Sequence, residues 1–175
     1  MVHKLTKELI DKSVADVARY LMLAAETAPK GCGMNCLKMM TLDGEEKDAL
    51  AKQMKIIGER EGVAFFIRDA ENLEVSSAVI LLGCEGGVRG LNCGLCGNAT
   101  CSDKATHYPC VFNTVDLGIA LGSAASSATQ FKVDTRIMYS AGRTAMEMKL
   151  LGENISCIFA IPLSVSAKNV FFDRK

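Results

Sequence analysis

The chain has 175 residues, 49% of them apolar and 23% charged. That fits one globular domain with its own hydrophobic core and excludes a disordered or fibrous polymer. Basic and acidic residues balance at 20 each, for a formal net charge of zero, so no basic stripe points to nucleic acid and no polybasic segment to an anionic membrane.

Residues 4 to about 26 carry Leu5, Ile10, Val14, Val17, Ala18 and Leu21 at helical spacing, which predicts an amphipathic helix stopping before Pro29. Charges recur through this N-terminus, so it has no signal-peptide core. Pro29 to Cys36 reads as a glycine-bearing loop and Met39 to Leu42 as a short strand. Asp43 with Glu46 resembles a capping box that opens a helix through about Gly58, with Leu50, Met54 and Ile57 as its buried stripe. A short helix is expected over Val63 to Asn72, and a buried strand over Ser77 to Gly83.

Cys84 to Cys110 is rich in glycine, holds five of the eight cysteines and has few large apolar residues. Such a segment cannot fill a core, so a bound metal is expected to order it. A helix of Gly, Ala and Ser around Leu117, Ile119 and Leu121 should follow over 114 to about 130. Another helix is expected from Thr135 to Leu150, then a last strand from Ile155 to Ile161, ended by Pro162. The apolar run Cys157 to Leu163 is far too short to span a bilayer, and the tail from Ser164 should pack on the surface or on a partner subunit. Helices interleaved with few strands, without repeat or linker, indicate a single α+β domain over residues 1–175 with the cysteine loop, 84–110, inside it.

The cysteines define the chemistry. Cys93, Cys96, Cys101 and Cys110 have the spacing C-x2-C-x4-C-x8-C. Eight cysteines in a chain expected to be cytoplasmic point to metal or redox chemistry rather than disulfides. Four thiolates complete an iron–sulfur cluster, and Gly90, Gly94 and Gly97 let backbone amides turn towards its sulfides. Zinc is the rival, although its structural sites usually present two short paired knuckles. A Cys93–Cys96 redox disulfide would leave Cys101 and Cys110 unexplained. Cys157 reads as a buried small hydrophobe and the fallback fourth ligand, while Cys32, Cys36 and Cys84 fit a second metal, a redox pair or plain packing. His107 could hydrogen-bond the cluster but reads more simply as an exposed loop residue. Asp134 and Arg136 read as capping and pairing residues, and Asp116 as a helix cap.

Three resemblances add to this. Leu91-Asn-Cys-Gly-Leu-Cys-Gly-Asn-Ala-Thr-Cys101 resembles the CGxCGxxxC core of small [4Fe-4S] domains. Ala24 to Lys30, the cysteine loop, Asp116 to Ala124 and Ile161 to Arg174 together resemble a family of functionally uncharacterised prokaryotic ferredoxin-domain proteins. Ala24 to Cys36 is also similar to the Ala-Pro-Ser loop of nitroreductase-like flavoproteins, which bind FMN between the subunits of an intertwined homodimer. That last resemblance implies a three-layer α/β/α core and places Pro29, Lys30, Gly31, Cys32, Gly33 and Asn35 beside FMN, with Lys168 or Arg174 meeting its phosphate. The departures are Lys30, Gly33 and Asn35, where that family has Ser, Asn and Gln, and the missing arginine-rich start. The implied protein is a homodimeric iron–sulfur flavoprotein exchanging electrons with a small acceptor or a redox partner protein. A carrier with an empty flavin pocket and a zinc-stabilised interaction module are the alternatives.

Overall fold

The computed structural model describes residues 4–105 and 108–172; Arg174 and His107 lie outside the described residues. The elements in chain order are α1 (Lys7–Thr27), β1 (Leu37–Asp43), α2 (Gly44–Glu61), α3 (Ala64–Glu74), β2 (Ala78–Glu85), α4 (Val111–Ala128), β3 (Asp134–Thr135), α5 (Tyr139–Glu147) and β4 (Ile155–Ser164). The four strands form one antiparallel sheet in the order β1-β2-β4-β3.

The sheet is buried on both faces, which makes this a three-layer α/β/α fold. Ala78, Ile80, Leu82 and Cys84 of β2 point towards α1 and α4, where they meet Val14, Leu21, Leu117 and Ala124. Val79 and Leu81, one residue out of phase, point towards α2, α3 and α5 and meet Leu50, Met54, Leu73 and Ala141. The period of two along β2 thus feeds two cores, and the strand reads as a continuous apolar run. Leu50, Met54 and Ile57 are fully buried as their spacing predicts, each stabilising the fold by about 1.5–3 kcal/mol relative to an exposed position. Gly142 lets α5 lie directly on β4, because a Cβ there would sit 2.1 Å from the Ile158 carbonyl oxygen.

Several local expectations change. The Thr6 hydroxyl caps α1 by accepting from the Leu9 amide, whereas Asp43 opens α2 without a side-chain capping bond. Ile119 lies on the exposed side of α4. The helix expected from Thr135 begins only at Tyr139, because Asp134 and Thr135 pair with β4 and Met138 exchanges backbone hydrogen bonds with Ala160. Among the described residues Arg136 neither caps nor forms an ion pair; it donates to the Phe171 carbonyl. Pro162 lies inside β4 rather than ending it. Its carbonyl accepts from the Thr135 hydroxyl, so its nitrogen also faces the two-residue strand β3, where a missing N–H costs little. The tail folds back, burying Phe171 in the second core. Among the described residues no helix is long and apolar enough to cross a membrane.

Candidate metal centre and the loop beside it

Among the described residues between Glu85 and Val111 the chain forms no strand and only one short helical turn, Cys101–Asp103. Its base is pinned to the scaffold: the Glu85 amide donates to the Cys36 carbonyl, the Gly86 amide to that of Asn154, and the Asn113 side chain to that of Glu85. Within this loop Cys93, Cys96, Cys101 and Cys110 line one pocket, together with Val88 and Lys104. Gly94 and Gly97 take φ of 72° and 83°, a left-handed conformation that glycine adopts without penalty.

Two sulfurs already receive amide hydrogen bonds. The Asn92 backbone donates to Cys101 Sγ at 3.3 Å while the Cys101 amide donates back to Asn92 Oδ1 at 2.8 Å. Asn98 Nδ2 donates to Cys96 Sγ at 3.4 Å, and this bond holds the Cys96 thiol below its ordinary pKa. Cys110 is buried at the N-terminus of α4. The donor set therefore fits a thiolate-bound centre. Among the described residues no three His, Cys, Asp or Glu side chains stand close enough to hold a metal ion as they are; the four cysteines line a common pocket. Cys157 is not among the residues lining it.

Arg89, which composition and spacing did not single out, ties this loop to residues 29–36. Its guanidinium donates to Asp116 Oδ2 at 2.5 Å, to the Met34 carbonyl at 2.8 Å and to Cys36 Sγ at 3.3 Å. Asp116 lies inside α4 rather than capping it, and its other oxygen accepts from the Gly31 amide at 2.9 Å. Arg89 Nε and Asn113 Oδ1 are buried without a hydrogen-bond partner among the described residues.

The loop expected to meet FMN is occupied with its own chain. Lys30 Nζ donates to the carbonyls of Ala25, Glu26 and Ala28, which uses all three ammonium hydrogens and places the cation at the C-terminus of α1, where the dipole favours it. The Asn35 amide donates to Glu26 Oε1 at 2.6 Å and its oxygen accepts from the Leu37 amide. Gly31 gives its N–H to Asp116. Pro29, Cys32 and Gly33 are exposed or nearly so, and Cys32 takes φ of 57°, unusual for a residue with a side chain. Lys168 is exposed in the tail.

Cys84 and Cys157 lie on the adjacent strands β2 and β4, and Cys36 immediately precedes β1. Cys84 pairs with Leu37 on one side and Cys157 on the other. Burial pushes all three thiols up, Cys84 to about 11, which makes them poor nucleophiles.

The sequence profile of a family described as uncharacterized proteins containing a ferredoxin domain (DUF2148) matches residues 107–174, a stretch that includes Cys110 and Cys157 but begins after the other three pocket cysteines. An uncharacterized protein of Archaeoglobus fulgidus is 35% identical over 178 residues, covering 96% of this chain and 95% of its own. Among solved structures, the fold is similar to a nitroreductase with bound FMN from Desulfitobacterium hafniense, at a TM-score of 0.60 and 13% identity, covering 95% of this chain and 81% of that one. It is also similar to the NADPH:FMN oxidoreductase from Vibrio harveyi, at 0.58 and 13%, covering 97% and 64%, and to nitroreductase A from Vibrio parahaemolyticus, at 0.59 and 13%, covering 97% and 62%. The chain thus spans just under two thirds of the length of those two Vibrio enzymes. At these identities the likeness establishes the nitroreductase fold.

Proposed function

Because this chain belongs to the family of uncharacterized proteins containing a ferredoxin domain, we propose that it transfers electrons through an iron–sulfur cluster held by Cys93, Cys96, Cys101 and Cys110. The supporting observation is that these four side chains, from one glycine-rich loop, line a single pocket with amide donors directed at two of the sulfurs. A bound [4Fe-4S] cluster would supply one-electron chemistry. The protein supplies the rest. Asn92 and Asn98 hold sulfurs in place and stabilise negative charge on them, Cys110 fixes the loop to α4, and Arg89 fixes it to residues 34–36. Zinc on the same four thiolates is the rival, and metal and sulfide analysis separates the two. Free thiols in such a pocket suit a reducing, cytoplasmic compartment.

Protein prepared without oxygen should contain iron and acid-labile sulfide and absorb broadly near the visible edge. Cys93→Ala or Cys101→Ala should abolish both. Zinc without sulfide in that preparation refutes the reading.

The nitroreductase fold supports a second reading, with FMN also bound. Residues 29–35 as they stand do not fit that cofactor, since Lys30, Asn35 and the Gly31 amide are already partnered within the chain. The geometry therefore favours a cluster-only carrier that exchanges electrons with a redox partner protein or a small acceptor. The flavin content of the anaerobic protein decides between them: one FMN per subunit supports the flavoprotein, none with intact iron the carrier.

A homodimer is part of the proposal. Val115, Gly118, Ile119 and Gly122 form an exposed apolar stripe on α4, and a Cβ added at either glycine would meet only open space. Small residues on an uncovered helix face suit close packing against a second copy. Light scattering on the native protein tests it, a dimer mass being expected.

A further inference from the structure

Lys104 stands in the wall of the cysteine pocket and is 7% exposed. Its ammonium donates to the Ala105 carbonyl at 2.9 Å and to the Tyr108 carbonyl. Both partners satisfy hydrogens but carry no charge. Among the described residues no carboxylate lies within ion-pair distance of it, whereas Arg89 is paired with Asp116 and the buried Lys47 with Asp48. An ammonium withdrawn from water without a counter-charge is costly, and proteins keep such groups only where an anion meets them. The groups that share the pocket with Lys104 are four sulfurs, which carry negative charge when they ligate a metal.

We propose that Lys104 is the counter-cation of the cysteine pocket and sets the reduction potential of the centre held there. This rests on the iron–sulfur reading above and extends it to the tuning of that site. Reduction adds one electron, taken from an external one-electron donor. No bond forms or breaks, and Lys104 keeps its proton. The added negative charge arises beside a fixed positive charge in a poorly solvated wall, where the attraction is much stronger than in water. Lys104 therefore favours the reduced form and raises the potential above what the same four thiolates would give alone. It acts as a positioning charge and is not itself a ligand.

The test is an anaerobic redox titration of the cluster-loaded protein, followed by absorbance and electron paramagnetic resonance, on the native chain and on Lys104→Gln, Lys104→Met and Lys104→Arg. Glutamine keeps a donor for the two carbonyls but loses the charge; arginine keeps both. The expected result is a lower midpoint potential for the glutamine and methionine variants and a near-native one for arginine. A native potential in Lys104→Gln, or an equal fall in the glutamine and arginine variants, overturns the proposal. Iron and sulfide content guards against loss of the centre. Loss in Lys104→Gln with retention in Lys104→Arg supports the counter-charge, and loss in both assigns Lys104 to packing and overturns it. Absence of iron and sulfide from the native protein instead overturns the iron–sulfur reading, and this inference with it.

Discussion

Arg89 and Asp116, 27 residues apart in sequence, meet at 2.5 Å with side chains only 2% and 3% exposed. Through them the cysteine loop, the Gly31 turn and α4 share one buried charge pair. Removing one partner leaves the other charged and dry, so Asp116→Leu and Arg89→Met should each cost about 3–5 kcal/mol. The double variant should recover much of that loss, since two apolar groups can replace a buried pair at little cost. Urea unfolding of the four proteins checks this. Additive losses in the double variant would show that the pair is not coupled.

How much of this could be read in the sequence depends on range. The four pocket cysteines span 18 residues and carry their own spacing, and β2 announces itself as the run Val79 to Leu82. Arg89 was legible only as a residue type, Lys30 only through the flavin-loop resemblance and Asp116 only as a helix cap. The Gly31–Asp116 contact joins positions 85 apart, and no local pattern encodes such a pairing. The same holds for the start of α5. Thr135 to Met138 looks helical by itself, yet pairing with β4 wins, because the backbone of Met138 finds both its partners on Ala160. Lys104 gave no signal at all, since a lysine in a polar loop is ordinarily solvated.

The approach of α5 to β4 leads to a packing prediction. At Gly142 even a methyl group would stand 2.1 Å from the Ile158 carbonyl oxygen and 2.6 Å from the Phe159 Cα. Both are backbone atoms of a central strand and cannot turn aside. Gly142→Ala should lose stability at or above the upper end of the roughly 1–3 kcal/mol typical of overpacked cores. Gly118→Ala on the open face of α4 should leave the isolated subunit's stability unchanged or slightly raised, because alanine is the better helix former. Thermal unfolding of the two variants should separate them clearly; equal melting temperatures would contradict the placement of α5.

Thiol reactivity should sort the cysteines. Hydrogen bonding from Asn98 lowers the Cys96 pKa, while burial pushes Cys84 to about 11. At pH 8 roughly one Cys84 side chain in a thousand is a thiolate, and it is fully buried. In metal-free protein, iodoacetamide should therefore modify Cys96 well before Cys84, which should react only on unfolding. Peptide mass spectrometry over a time course reads this directly, and equal rates would refute it. The same shift carries a pH dependence. The native state holds the Cys84 proton more tightly than the unfolded chain, so its contribution to stability is complete below about pH 9 and is lost as pH rises towards 11.

Glu61 gives the opposite dependence. Arg143 grips both its carboxylate oxygens, at 2.5 and 2.7 Å, and Arg60 adds a third bond at 3.0 Å, joining α2 to α5. The Arg143 hydrogen bonds, then those of Arg60, lower its pKa from 4.5 to about 2. A depressed carboxylate stabilises the fold above its unfolded pKa, and that contribution disappears as pH falls through the folded one. Glu61→Gln should accordingly melt below the native protein at pH 7. The gap should narrow between pH 4.5 and 2 and close below that range. The group is solvent-exposed, so the pH 7 gap should be small and shrink further in 1 M salt. A gap that persists at pH 1.5 would mean that Glu61 acts through packing rather than through its charge.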